Sequence, residues 1–209
     1  MSDPKSAEEN LKVIRDLMER ATKYRALATV PALIGAILTL LAGVWGYWKG
    51  DSLTATKFVL LWLGVLLAID AVNSVSLYRD SKKRGADFPS PQMIHGILAM
   101  LPAFLAGGII GLVFGLEHED PVKCATIWAV FSGLALLATR SFAPRSILKL
   151  GWLFLIAGTG FFVWYELGGA LPGRAFPIKA ASFVMMAAFG GPLALYAIFT
   201  GLISKTKEG

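Results

Sequence analysis

Charge is scarce in this chain. Only 16% of its 209 residues are Asp, Glu, Lys or Arg, where a soluble globular protein carries about 25%. So little polar surface excludes a water-soluble globule of this size. Cysteine is scarcer still: Cys124 stands alone, which excludes an intrachain disulfide and any multi-cysteine metal site. As a small thiol inside an apolar block it reads as a packing residue. Histidine occurs twice, at His95 and His118, at the two ends of one apolar block. Helical rise sets them ~34 Å apart, too far to share a haem or metal within one chain.

Other signals are missing as well. No nucleotide-binding glycine loop, nucleophile–base pair or metal-ligand spacing is present, so no cofactor is expected and an enzyme ranks last among the function classes. Short alternating strand patterns are absent, which excludes a membrane β-barrel. A cleavable signal peptide is not expected either, because a polar stretch of about 25 residues precedes the first apolar block.

What the chain has in abundance is long apolar sequence. Hydrophobic residues make up 56% of the total and mean hydropathy is +0.62. They are bunched into six blocks, at about 27–48, 58–78, 94–116, 122–139, 147–167 and 178–203. A helix needs ~20 residues to cross the hydrocarbon core, and backbone groups in lipid must be satisfied within the segment. The expected fold is therefore all-α: a polytopic bundle of six transmembrane helices over 27–203, arranged as three hairpins. A cytoplasmic or interfacial amphipathic helix at 1–26 precedes it and a tail at 204–209 follows.

Basic residues set the orientation. Counting Lys and Arg, the N-terminal arm, the second and fourth connections and the tail together hold 15, and the alternate connections hold five. Such asymmetry over short loops places the richer side in the cytoplasm. The chain is thus expected in the inner (cytoplasmic) membrane with both termini inside. Its net charge of +6 is accounted for as membrane-orienting charge, and no nucleic-acid partner is implied. Trp45, Tyr47, Trp48, Trp62, Trp128, Trp164 and Tyr165 fall toward the expected outer ends of their spans, the depth that amphipathic rings prefer. Ser90-Pro91 and Asp120-Pro121 place a capping oxygen before a proline at a helix start, and Pro177 can open the sixth span similarly.

The arm reads SAEENLKVIRDLMERATKYRA over 6–26. Ser6 and Glu9 fit a capping box. Leu11, Ile14, Leu17, Met18 and Tyr24 then recur at helical spacing, with basic and acidic residues around the remaining surface. That apolar face must be covered by the bilayer surface, by the protein's own spans, or by a partner or second copy. The run from Glu9-Asn10-Leu11 through Ile14-Arg15 and Leu17-Met18-Glu19-Arg20-Ala21-Thr22 to Tyr24-Arg25 resembles the opening of a family of uncharacterised bacterial six-span membrane proteins. The resemblance covers the arm and the start of the first span. It implies a bacterial origin and this topology, and it brings no activity or site residues with it.

Polar residues inside the blocks are the remaining candidates. Asp70 lies in the second block with Asn73 and Ser74 on roughly the same face. A charge at that depth costs at least ~2.5 kcal/mol on insertion scales and should face protein or water. The functional reading is a proton or cation site. The structural reading, which the lack of a second acidic partner favours, is a neutral Asp or one paired with Arg140. Glu117, His118, Glu119 and Asp120 form an acidic turn that is a weak metal candidate, and a solvated hairpin turn is the preferred reading.

Gly107, Gly111 and Gly115, with Gly35, Thr39 and Gly43, make small-residue stripes that let helices approach closely, within the chain or between copies. Gly168, Gly169 and Gly173 mark a flexible outer loop, and Gly190-Gly191-Pro192 is placed to break or kink the sixth span.

From the sequence, then, the expected function is a non-enzymatic integral membrane scaffold, accessory or regulatory protein whose cytoplasmic arm docks on a partner or the membrane. The lipid bilayer is its expected surrounding, and a homo-oligomer or a membrane-complex partner is the candidate assembly. A small solute or ion transporter using Asp70 is the alternative.

Overall fold

The computed structural model describes residues 29–83, 85, 88–141, 143–172 and 175–205. The arm and its face of Leu11, Ile14, Leu17, Met18 and Tyr24 lie outside the described residues, as does the end of the tail. The helices are α1 (Thr29–Lys49), α2 (Ala55–Lys83), α3 (Pro91–Leu112), α4 (Pro121–Ala138), α5 (Arg145–Glu166), α6 (Pro177–Met185) and α7 (Gly191–Lys205). A π turn at Val113–Glu117 extends α3, and a second one at Met186–Gly190 joins α6 to α7 as one span. Six helical segments are long and apolar enough to cross a membrane, and the chain is a multi-pass helical bundle.

Local chemistry fixes several helix ends. The Ser90 side chain accepts from Met93 N–H at 3.3 Å and that of Asp120 from Lys123 N–H at 3.0 Å, each just ahead of a proline in the first turn. α5 ends in a Schellman arrangement: Gly168 N–H donates to the Tyr165 carbonyl and Gly169 N–H to that of Trp164, with Gly168 at φ 79°. The Trp164 indole lies over Gly169 and donates to the Ala170 carbonyl at 3.2 Å. Gly168 and Gly169 thus form the helix stop at the start of the outer loop, and Gly173 lies outside the described residues.

The second span runs to Lys83, beyond the 78 expected from hydropathy. Arg79, Lys82 and Lys83 are good helix formers whose stems can lie along apolar surface while their charges reach water. At Gly190-Gly191-Pro192 the sixth span is widened, not broken. Gly191 N–H donates to the Met186 carbonyl across the π turn, which relieves the helix where Pro192 has no N–H to offer.

α4 is the centre of the bundle. It packs on α3, α5 and α6, and half of its apolar window is buried, against 17% for the second span and 11% for the third. α1 packs on α2, α6 and α7. The larger core joins Phe58, Val59 and Trp62 to Val122, Cys124, Ala125 and Ala129, and to Ile178, Ala181, Val184 and Met185. It occupies the half of the bundle away from the basic connections. A smaller cluster of Leu150, Phe154 and Tyr196 lies toward the basic end.

Glycines make the close contacts. A Cβ at Gly107 or Gly111 would collide with Phe131 or Trp128 of α4, and one at Gly115 would lie 2.7 Å from Val59 and 3.2 Å from the Cys124 sulfur. Gly43 meets Met186, while a Cβ on Gly35 would rest at ordinary contact distance from Ile69 and Leu193. Both stripes face other spans of the same chain. Gly46 and Gly50, which extend the α1 stripe against Ser182 and Lys179, carry the same role unannounced by spacing alone.

Trp62 departs from its expected interfacial placement. It is 3% exposed and tilted against Phe58 with ring centroids 6.1 Å apart, whereas Trp45, Trp48 and Trp164 are exposed. All lie near the same end of their spans, and helical phase decides which ring turns inward.

Candidate functional site

α2 buries its first turns most deeply and, beyond them, keeps one side exposed. Thr54 caps it, accepting from Lys57 N–H at 3.3 Å, and Phe58, Val59 and Trp62 are buried. On the opposite side Leu60, Gly64, Leu67, Ala71, Ser74 and Tyr78 are all exposed. Their separations alternate four and three, the spacing that keeps one seam of a helix facing a neighbour over many turns. A Cβ added at Gly64 would meet nothing within 4 Å. The Phe88 ring stands edge-on to Tyr78 at the far end of the seam, ring centroids 5.5 Å apart, and the side chains of the seam remain exposed among the described residues.

Asp70 flanks the seam and is itself exposed, Ser74 is exposed and Asn73 is half-buried. The 29-residue helix is ~44 Å long, and Asp70 stands ~22 Å from its start. Against a hydrocarbon core of ~30 Å, Asp70 lies at least ~8 Å inside the apolar layer wherever along that length the membrane sits. Arg140 is exposed beyond the end of α4. Among the described residues no ion pair joins Asp70 to Arg140 or to any other cation. Asp70, Asn73 and Ser74 therefore share a helix region, and Arg140 is not brought to them.

The end opposite the basic connections is organised by ion pairs. Lys123 Nζ lies 2.9 Å from Glu166 Oε1 and 3.7 Å from Asp120 Oδ2, tying the start of α4 to the end of α5. Lys179 Nζ lies 2.6 Å from Asp51 Oδ2 and 4.5 Å from the centre of the Phe176 ring, tying the first connection to α6. Glu117, His118, Glu119 and Asp120 do not converge. Among the described residues no group of three His, Cys, Asp or Glu side chains is placed to hold a metal. Asp120 is committed to its cap, Glu119 turns the chain at φ 49°, and the His118 ring sits 5.3 Å from that of Phe114.

Two surface grooves lie among the described residues. One, of about 400 Å³, runs between α5 and α6 along Ile156, Gly160, Phe161, Trp164 and Phe183. The other, of about 370 Å³, lies among the connections at the ion-paired end, beside Asp51, Thr54, Glu119 and Phe176. Neither is lined by Asp70.

The seam on α2 was not singled out by sequence reasoning, although its four–three spacing is written there. In a span that is apolar all round, hydrophobic periodicity does not tell an inward face from an outward one. No protein-family model, no curated protein and no solved structure matches this chain.

Proposed function

We propose that this chain is a non-enzymatic assembly protein of the inner (cytoplasmic) membrane, a scaffold, accessory or regulatory subunit that holds another membrane protein through its second span. Asp70 carries the reading: a carboxylate at least ~8 Å inside the apolar layer, on an exposed face, in no ion pair among the described residues. Asp at the centre of a membrane helix costs ~2.5–3.5 kcal/mol on insertion scales, and such residues as a rule face protein or water. The glycine stripes of α1 and α3 are engaged in packing the chain's own spans, whereas the seam of α2 is exposed. The 15-to-five division of Lys and Arg supports placing both termini in the cytoplasm.

Purification from native membranes in mild detergent, with mass determination of everything that co-elutes, tests this reading. A stoichiometric membrane partner is the expected result. A lone monomer that drives an Asp70-dependent flux in proteoliposomes would overturn it in favour of a transporter.

A further inference from the structure

Resting on the assembly reading, the α2 face defines the chemistry of what it holds. We infer that the seam of Leu60, Gly64, Leu67, Ala71, Ser74 and Tyr78 receives one transmembrane helix of a different polypeptide, bearing a lysine or arginine at the depth of Asp70 and opposite it.

Three observations lead there. The seam keeps a four–three spacing over six exposed residues, and its small members Gly64, Ala71 and Ser74 let a second helix approach closely. Gly64 has open space where a Cβ would stand, so no described residue fills the position. Asp70 supplies an anion at the flank of the seam, at least ~8 Å inside the apolar layer. A cationic side chain there gains a charge-assisted hydrogen bond and spares both groups their separate insertion costs.

A second copy of this chain does not fit that description. Among the described residues every Lys, Arg and His lies outside the helices or within five residues of a helix end, from Lys57, Arg79 and His95 to Lys123, Lys149 and Lys179. Two copies meeting through α2 would bring carboxylate toward carboxylate with no cation at that level. The partner is therefore heteromeric, and its cation is its signature.

The test uses the full-length protein, labelled at an introduced Ser52→Cys at the ion-paired end, in phosphatidylcholine vesicles. Synthetic transmembrane peptides of one Leu/Ala sequence carry Lys, Leu or Glu at the centre and an acceptor dye, and energy transfer reads association. Interhelical polar contacts of this kind predict that the Lys peptide binds about ten-fold more tightly than the Leu peptide. Asp70→Asn should remove most of that difference. Gly64→Leu should weaken every peptide, while Gly160→Leu, also on open surface, should weaken none.

Equal binding of Lys and Glu peptides, or insensitivity to Asp70→Asn, would overturn the inference. So would self-association of the protein that matches the Lys peptide and is lost in Asp70→Asn. The two readings fail separately. A native partner that stays bound to Asp70→Asn sinks this face and leaves the assembly reading standing. A protein with no native partner sinks the assembly reading whatever the peptides do.

Discussion

Gly133 and Gly151 meet across α4 and α5 so closely that a Cβ on Gly133 would stand 2.7 Å from the Gly151 carbonyl oxygen. The Leu155 amide nitrogen is 2.6 Å from the same point, and a Cβ at Gly158 would lie 2.8 Å from the Val130 nitrogen. The contact is backbone against backbone. No side chain at these positions can rotate aside to make room.

Gly133→Val should accordingly separate α4 from α5. Forcing volume into a packed interior costs about 1–3 kcal/mol, and backbone atoms on the far side place this case at the upper end. Thermal melting in detergent, followed by size-exclusion recovery, should fall clearly for Gly133→Val. It should stay at the wild-type value for Gly160→Ala, where a Cβ meets nothing.

Trp62 and Trp48 lie near the same end of their helices, one 3% and the other 78% exposed. Trp62→Ala should cost about 3–5 kcal/mol as a core truncation, and Trp48→Ala within about 0.5 kcal/mol as a surface change. The Trp62 indole N–H has no hydrogen-bond partner among the described residues. Trp62→Phe removes that unsatisfied donor and should recover most of the alanine loss in the same melting assay.

Asp120 and Glu166 share Lys123, but their roles differ. Glu166→Gln removes a half-exposed ion pair and should cost no more than about 1 kcal/mol, less still at high salt. Asp120→Ala removes the α4 cap as well, worth about 1 kcal/mol by itself, and should be the more destabilising of the two. Asp120→Asn keeps the capping oxygen and should restore the difference.

Cys124 is fully buried against Gly115, so a membrane-impermeant maleimide should leave the wild-type protein unlabelled until it is denatured. Ser52→Cys and Ser141→Cys lie on exposed turns at opposite ends of the bundle. With the termini in the cytoplasm, the first should label from outside intact cells and the second only after permeabilisation. The reverse pattern would overturn the orientation.

The sequence by itself determined the number of spans, their limits to within a few residues, and the capped starts at Ser90 and Asp120. Each depends on short-range physics: enough apolar length to cross the hydrocarbon, and a side-chain oxygen three residues ahead of an orphan N–H. Only the tertiary structure decided which way each helix is turned. It put Trp62 inward and Trp48 outward, set the glycines of α1 and α3 against neighbouring spans, brought α4 to the centre, and left Asp70 on the bare side of α2. In lipid an outward leucine and an inward one are equally apolar, so composition carries no mark of the face. Packing against other spans chooses the face, and those contacts join residues far apart in the chain.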